Sequence, residues 1–312
     1  MASILYLSLN CMAPRLNVGT TTGFYIYSLT PFTLLLHRQF NRGIGVVEQF
    51  RSTNIIALCG GGTDPWHPLN LINLWDDAQA VTIGKIETSS PVKKLQFTNS
   101  YLLVVLEYET HIYQISDLSL LRSVKTDDNL YSLGILTIQE ELIALGTPAG
   151  NILHLRTPTG SGRQIAVSRH PLKFITVNET GTLLATASIE GTNIKIVRIS
   201  TGEILRTLRR GWETVDIASI RFGSNSTVES GNVVVTSNKK TVHLYRYLYV
   251  EVTHQVFTLP AGNSLLFPLE TKDLYRCIWV DNSSKWRPGY TIELLFNGTV
   301  TTEINRIAFP TN

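Results

Sequence analysis

Two adjacent arginines, Arg209 and Arg210, are the residues of this sequence best suited to bind a charged ligand. They lie between two segments typical of β-strands, residues 192–199 and 216–222. Successive side chains of an extended chain point to opposite faces, so the two guanidinium groups are predicted to serve different pockets. A guanidinium is a planar fork of donors that binds a phosphate through two hydrogen bonds. The pair therefore indicates two anion sites, with an ordinary solvated arginine pair as the alternative.

Residues that could carry catalysis do not form a recognisable motif. The sequence contains neither a metal-binding HExxH or CxxC pattern, nor a nucleophile elbow, nor a P-loop, and Gly60-Gly61-Gly62 lacks the spacing of a dinucleotide loop. The seven histidines are dispersed, at positions His37, His67, His111, His154, His170, His243 and His254. We therefore expect a protein that is not an enzyme and that uses no cofactor and no metal.

Composition and charge narrow the classes of protein further. Apolar residues make up 43% of the chain and charged residues 16%, which favours a folded domain over disorder. A formal net charge of +3 is low for a dedicated nucleic-acid binder, so we expect no nucleic-acid partner. We expect neither a signal peptide nor a membrane span. The widely spaced Cys11, Cys59 and Cys277 are expected to be free thiols in a reducing compartment.

The elements that must position the arginines belong to a repeat. Seven times an apolar strand-like run ends in a small or polar turn and a second run follows, with equivalent points 40 to 49 residues apart at Thr20, Gly60, Glu107, Thr147, Ser188, Ser237 and Asp281. A period near 40 to 45 residues with several short strands is typical of propeller blades. We predict an all-β, seven-bladed β-propeller forming one domain, with approximate blades at residues 1–40, 41–88, 89–126, 127–164, 165–207, 208–265 and 266–312.

Four motifs in a fixed order give the chain a family resemblance. They are residues 43–62 with Leu74-Trp75-Asp76-Asp77, then residues 181–195, then Leu208-Arg209-Arg210-Gly211, then residues 235–243. In this order they resemble the PROPPIN family of phosphoinositide-binding β-propellers over roughly residues 3 to 300. The resemblance implies a seven-bladed propeller that binds phosphatidylinositol 3-phosphate and phosphatidylinositol 3,5-bisphosphate at two sites beside the arginine pair. Most members have Phe where Leu208 stands.

Position by position, the resemblance assigns residues to two sites. The first site takes Arg209 with Ser188, Thr192 and Lys195, and the second takes Arg210 with Thr236, Ser237, Lys239 and Thr241. Hydroxyls donate to phosphate oxygens, lysines add charge and arginines fix orientation. On sequence alone, Ser188 and Thr192 are equally good turn formers.

The first site departs from the family pattern in two places. Lys195 stands where Arg is usual, and Ser168 aligns with a position that often holds His, with His170 two residues further on. We therefore expect the second site, around Arg210, to bind more tightly than the first.

Residues 249–268 carry a cluster of apolar side chains. In related propellers a loop of blade six inserts into the bilayer, and here that role falls to Val256, Phe257, Leu259, Leu265, Leu266 and Phe267. The alternative is that these residues form the last strand of blade six and the first strand of blade seven.

The resemblance implies a peripheral membrane protein of autophagy or of endosomal and vacuolar traffic. It would be cytoplasmic, monomeric in solution, and bound to vacuolar, endosomal or pre-autophagosomal membranes rich in phosphoinositides. Family members also recruit autophagy proteins through the side of blades two and three, where Trp66, Lys93 and Lys94 are candidate contacts. The alternative is a propeller scaffold that binds proteins without lipid. A hydrolase would need convergent carboxylates or a metal cluster, and no such spacing occurs in the sequence.

Overall fold

The part of the chain described by this computed structural model is built from β-strands. It covers residues 3–10, 12–137, 139, 141–146, 150–156, 160–239, 241–249 and 251–258, and the segments 264–268, 274–279, 290–295 and 302–306. Its strands fall into seven groups of four, and the strands of each group pair in chain order. The predicted all-β repeat of seven units is confirmed.

The chain divides into two compact units, residues 1–136 with 157–159, and residues 137–156 with 160–312. The first unit holds three complete sheets and one further strand. These are β1 Ile4–Leu9, β2 Arg15–Thr20, β3 Gly23–Leu29 and β4 Phe32–Gln39; β5 Ile44–Gln49, β6 Ile55–Gly60, β7 Leu71–Asp76 and β8 Val81–Glu87; β9 Lys94–Phe97, β10 Tyr101–Val105, β11 Glu109–Gln114 and β12 Leu120–Lys125; and β13 Gly134–Leu136.

The second unit carries the arginine pair and the remaining strands. These are β14 Glu141–Leu145, β15 Asn151–Arg156 and β16 Gly162–Ala166; β17 Leu172–Val177, β18 Leu183–Ser188, β19 Asn193–Arg198 and β20 Ile204–Arg209; β21 Ile217–Phe222, β22 Ser230–Ser237, β23 Thr241–Leu248 and β24 Glu251–Thr258; and β25 Ser264–Pro268, β26 Leu274–Trp279, β27 Tyr290–Leu295 and β28 Thr302–Arg306.

Burial changes in the same way from the first to the last strand of a sheet. In the sheet of β17–β20, the strand β18 is buried along almost its whole length, whereas Leu208 is the one buried residue of β20. Continuous apolar runs such as Leu183–Ala185 therefore mark strands covered on both faces, and exposed, more polar strands mark the outer edge. First strands of successive sheets lie side by side within each unit, β1 against β5 and β17 against β21.

The predicted blade boundaries lie close to the observed sheets but are not all correct. Strand β16 runs to Ala166, beyond the boundary at 164, and β20 runs to Arg209, beyond the boundary at 207. The boundary at 265 cuts β25, which begins at Ser264. Turn residues alone set these limits in the sequence, and strand pairing extends each strand by a few residues. That all 312 residues form one domain stays a prediction.

A buried carboxyl group, that of Glu48, lies inside the first unit. Asn17 Nδ2 donates a hydrogen bond of 2.9 Å to Glu48 Oε2, and the Ser8 hydroxyl donates another of 3.2 Å. Only 2% of Glu48 is exposed. Burial raises the pKa of Glu48 to about 8, against the lowering effects of these hydrogen bonds and of Lys94. The group is therefore mostly protonated in the folded protein at neutral pH.

Glu48→Gln is expected to stabilise the protein at alkaline pH. The folded pKa lies above the unfolded value of 4.5, so the folded state binds more protons between pH 4.5 and 8 and stability falls as pH rises through that range. At pH 8.5 the neutral amide should raise the free energy of unfolding by roughly 2–4 kcal/mol. Urea unfolding at pH 5.5 and 8.5 measures this, with the exposed Glu87→Gln as control. An unchanged pH slope in Glu48→Gln would contradict the assignment.

Candidate anion-binding site

The pairing of β19 with β20 sets the position of the arginine pair. Arg209 is the last residue of β20 and lies opposite Asn193, the first residue of β19. Two residues along, Thr207 lies opposite Lys195. Arg210 follows the strand, and its backbone N–H donates to Thr192 O at 2.8 Å, which extends the pairing by one residue. The strands predicted on both sides of the pair are therefore confirmed as β19 and β21.

The two arginine side chains have different surroundings, as alternation along a strand requires. The exposed Arg209 guanidinium lies over the indole ring of Trp212, 3.0 Å from the ring centroid. The half-buried Arg210 donates from Nε to Gly191 O and from Nη2 to Glu213 O, both at 2.8 Å. Arg209 is therefore held against an aromatic surface, whereas Arg210 fastens the loop between β20 and β21.

A cleft of about 270 Å³, called here the first cleft, lies beside β19. Three residues predicted for the first site line it, namely Ser188, Thr192 and Lys195. Its full lining is Ser168, Arg169, His170, Leu172, Thr186, Ser188, Glu190, Thr192, Asn193 and Lys195. The β18–β19 turn supplies the hydroxyls, and the segment before β17 supplies the basic residues. Arg209 is not part of this lining, so it must leave Trp212 to reach a ligand there.

Basic groups outnumber acidic groups in the first cleft. Arg169, His170 and Lys195 face one carboxylate, that of Glu190, whose Oε1 lies 3.3 Å from His170 Nε2. The Lys195 ammonium donates to Val167 O, which fixes the side chain within the cleft. An incoming phosphate would meet hydroxyl donors and positive charge, and it would compete with Glu190 for His170.

A second group of polar residues lies at the turn between β22 and β23. The hydroxyls of Ser237 and Thr241 are 3.3 Å apart, and Ser237 Oγ accepts the backbone N–H of Lys239 at 3.4 Å. The Lys239 ammonium is 3.3 Å from Glu213 Oε2, on the loop that carries Arg210. Three of the residues predicted for the second site are thus brought together.

The imidazole of His243 supports this second group without adding charge. Its Nε2 is 3.1 Å from Thr241 Oγ1, and its Nδ1 is 2.9 Å from His254 Nε2. Burial, together with the smaller effects of the charges of His254 and Arg210, lowers the pKa of His243 to about 4. His243 is therefore neutral at pH 7, and the positive charge of this region comes from Arg210 and Lys239.

Thr236 does not fit its predicted role. It lies in β22 opposite Val242 and is completely buried, so its hydroxyl is closed to a ligand in this conformation. Ser237, on the opposite face of β22, is only 1% exposed, so the same burial applies to its hydroxyl.

Five lining residues of the first cleft were missed in the sequence: Arg169, Leu172, Thr186, Glu190 and Asn193. Asn193 was detectable, because it lies two residues before Lys195 and shares its face of the strand. Thr186 lies opposite Lys195 on β18, a register that requires the structure. Arg169 and His170 enter through the segment before β17, so His170 lines the cleft although Ser168 holds the aligned position.

The expected membrane-inserting segment is largely strand. Val256 and Phe257 lie in β24, and Leu265, Leu266 and Phe267 lie in β25, which is the alternative considered for this segment. Leu259 lies outside the described part of the chain, and so do the side chains of Phe257, Leu265, Leu266 and Phe267. Strands β23 and β24 are connected by Tyr249 and residue 250 alone. Val256 is 52% exposed although it pairs within β24, and insertion of this segment into a bilayer stays a prediction.

The residues expected to contact a partner are less available than the sequence indicated. Trp66 stacks on Phe40 with centroids 4.5 Å apart and meets Trp75 edge-on, so it is a packed loop tryptophan. Lys93 and Lys94 are half-buried, and Lys94 Nζ donates to Gly134 O at 2.8 Å. Trp66 therefore serves the core of the first unit, and a free surface anchor at this position is not supported.

Solved structures identify the class of fold. The chain matches Kluyveromyces lactis Hsv2 with a TM-score of 0.80 and 18% identity, covering 98% of both chains. It matches KlAtg21, in a complex with the coiled coil of AgAtg16, with a TM-score of 0.76 and 19% identity, covering 99% of this chain and 100% of the other. With its seven four-stranded sheets, the protein is a seven-bladed β-propeller.

The sequence identifies the family. The PROPPIN family profile matches residues 3–261, and the chain belongs to that family. It is 31% identical over 247 residues to SVP1-like protein 2 of Neurospora crassa, covering 78% of this chain and 56% of that protein. It is 28% identical over 258 residues to autophagy-related protein 18 of Schizosaccharomyces pombe, covering 75% of this chain and 67% of that protein. The chain thus spans little more than half the length of the Neurospora relative.

Glu190→Gln is expected to strengthen anion binding at the first cleft. The substitution removes the negative charge that an incoming phosphate must displace from His170. An exposed ion pair is worth roughly 0.2–1 kcal/mol, so affinity should rise up to about fivefold. Calorimetric titration with inositol 1,3-bisphosphate, which carries two phosphate monoesters, measures the change.

The matched control is Glu203→Gln, since Glu203 pairs with Arg198 at 3.5 Å and does not line the first cleft. Equal affinities for wild type and Glu190→Gln would show that the carboxylate does not compete with the ligand.

Proposed function

We propose that this protein is a peripheral membrane effector that binds phosphatidylinositol 3-phosphate and phosphatidylinositol 3,5-bisphosphate at two sites beside Arg209 and Arg210. The observation that carries the proposal is the pair of polar, basic surfaces on the two sides of one loop. One is the first cleft, with Ser188, Thr192 and Lys195, and the other is the group of Ser237, Lys239 and Thr241. Membership in the PROPPIN family supports the same ligand class.

The chemistry of both surfaces suits an inositol phosphate. Hydroxyl groups and an ammonium donate hydrogen bonds to phosphate oxygens, and a guanidinium adds a bidentate contact that fixes orientation. Lys239 and Arg209 are exposed and Thr241 is partly exposed, so a ligand can reach these three side chains from solvent. In this proposal the protein is not an enzyme. Within the described residues, no group of three or more His, Cys, Asp or Glu side chains could hold a metal ion.

Two weak headgroup sites can together hold a protein on a membrane. Once the first headgroup is bound, the second site meets further headgroups at a high effective concentration, and basic surface residues add attraction to anionic lipids. Within the described chain, no helix has the length and apolar character needed to cross a membrane. We propose association with the cytoplasmic surface of vacuolar, endosomal or pre-autophagosomal membranes, in autophagy or membrane traffic.

A protein partner is the second element of the proposal. One solved relative is a complex of KlAtg21 with the coiled coil of AgAtg16, which favours a partner from the autophagy machinery. Because Trp66 and Lys94 are engaged within the first unit, we propose no contact residues for that partner. A scaffold that binds only proteins is the competing function, and it would show no headgroup selectivity.

Replacing both arginines is expected to abolish membrane binding. Arg209→Thr with Arg210→Thr removes one guanidinium from each proposed site. Flotation with vesicles containing phosphatidylinositol 3-phosphate should recover the wild type and not the double variant, and vesicles containing only phosphatidylinositol should recover neither. Equal recovery of both proteins, or equal recovery with both lipids, would leave the protein-only scaffold as the better function.

The two arginines are expected to contribute unequally. A hydrogen bond to a charged group is worth roughly 1.5–3 kcal/mol, so Arg210→Ala should weaken the tighter headgroup site at least about tenfold. Arg209→Ala should reduce the headgroup affinity less, since the Arg209 guanidinium lies over Trp212 and outside the first cleft. Calorimetry with inositol 1,3-bisphosphate separates the two sites without membrane avidity.

The Arg210 side chain also donates hydrogen bonds to Gly191 O and Glu213 O, so Arg210→Ala could disturb the loop itself. Thermal unfolding of each variant is the control for such a loss of structure. If Arg209→Ala removes the tighter of the two binding events and Arg210→Ala leaves it unchanged, the prediction that the second site binds more tightly is wrong.

A further inference from the structure

Trp212 is unusually exposed for a tryptophan. Its exposed fraction of 84% is the highest among the large apolar side chains of the described residues. It lies on the loop between β20 and β21, two residues after Arg210. An indole left in water forgoes the stabilisation that burial of its large apolar surface would provide. Such exposure in a well-anchored loop indicates that the ring meets a partner.

The loop that carries Trp212 is fixed at both ends. Arg210 N donates to Thr192 O at 2.8 Å, and Val215 N donates to Glu190 O at 3.0 Å. Between these two bonds, a Cβ atom placed on Gly211 would have no neighbour within 4 Å. Ile189, with 39% of its surface exposed, lies on the adjoining β18–β19 turn. The indole is thus presented outward from a rigid base.

Positive charge surrounds this apolar tip. The basic residues of the two proposed headgroup sites lie on both sides of it, and they outnumber the acidic residues Glu190 and Glu213. They are Arg169, Lys195, Arg209, Arg210 and Lys239. An exposed indole with Arg209 against its face and further basic residues on neighbouring segments is complementary to an anionic bilayer surface, where tryptophan prefers the boundary between headgroups and acyl chains.

The other exposed apolar tip of this sheet lies too far from the headgroup sites. Leu248 and Tyr249, at the β23–β24 connection, are 55% and 62% exposed. They lie at the opposite end of β23 from Thr241. Leu248 is seven residues from Thr241, and at about 3.3 Å per residue the two are roughly 23 Å apart. Trp212, by contrast, is on the same loop as the arginine pair.

We propose that Trp212 is a membrane anchor whose indole enters the headgroup boundary while the two neighbouring sites hold phosphoinositide headgroups. The inference rests on the proposed function and adds an apolar contact to it. Binding of a bilayer would turn the ring away from Arg209, which frees the guanidinium for the first cleft. The apolar contact and the headgroup contacts then reinforce each other through effective concentration.

Separating membrane affinity from headgroup affinity tests the proposal. Trp212→Ala should bind vesicles containing phosphatidylinositol 3-phosphate at least about fivefold more weakly than the wild type. Its affinity for inositol 1,3-bisphosphate should not fall, and release of Arg209 from the ring should raise it by up to about fivefold. Tryptophan emission should be quenched by brominated lipids in the wild type and much less in Trp212→Ala. Tyr249→Ala and Tyr108→Ala, which remove aromatic residues that are 62% and 57% exposed, should bind vesicles normally.

Three outcomes would contradict the proposal that Trp212 is a membrane anchor. Equal losses of vesicle and headgroup affinity in Trp212→Ala would make Trp212 a positioning residue for Arg209. Unchanged vesicle affinity would remove any membrane role, and a larger loss in Tyr249→Ala would assign the anchor to the β23–β24 tip. If inositol 1,3-bisphosphate does not bind the wild type, the proposed function fails. Quenching by brominated vesicles containing phosphatidylserine would then still support the anchor, and absence of that quenching would overturn it too.

Discussion

Hydrogen bonds between the β18–β19 turn and the loop after β20 hold the candidate site together. Arg210 N donates to Thr192 O, Arg210 Nε donates to Gly191 O, and Val215 N donates to Glu190 O. These bonds join the hydroxyl side of the first cleft to the arginine pair. They also leave Arg209 on one side of the loop and Arg210 on the other. Both proposed headgroup sites depend on this one connection, since each uses an arginine that the loop positions.

Much of the fold can be predicted from the sequence, because buried strands appear in it as short apolar runs. Runs such as Leu183–Ala185 and Val233–Val235 predict strands covered on both faces, and their spacing predicts the repeat of four-stranded sheets. Strand ends are less predictable. Arg209 is in β20 because it pairs with Asn193, and that pairing depends on a partner strand rather than on local composition.

The candidate site was predictable in part, and the limits have physical causes. Ser188, Thr192 and Lys195 come together because they lie on one hairpin, and local order in the chain carries that information. Arg169 and His170 reach the same cleft from a different segment, and a single sequence does not reveal such a contact. Burial was also hidden, since Thr236 and Ser237 are polar residues at a strand end and both are nevertheless closed to solvent. The apolar residues of 249–268 allowed two predictions, because a strand and an apolar loop share the same composition.

The carboxylate of Glu190 makes the first cleft a site that already contains an anion. A tethered group acts at an effective concentration on the order of millimolar or above, so any free ligand competes with a permanent occupant beside His170. A small monovalent anion gains little by that exchange, because it brings the same charge as the carboxylate it replaces. A phosphate dianion brings more charge and more acceptor oxygens, so it can displace the carboxylate where a monovalent anion does not. If phosphate binds here as proposed, Glu190 would favour phosphate over the monovalent anions of ordinary salt.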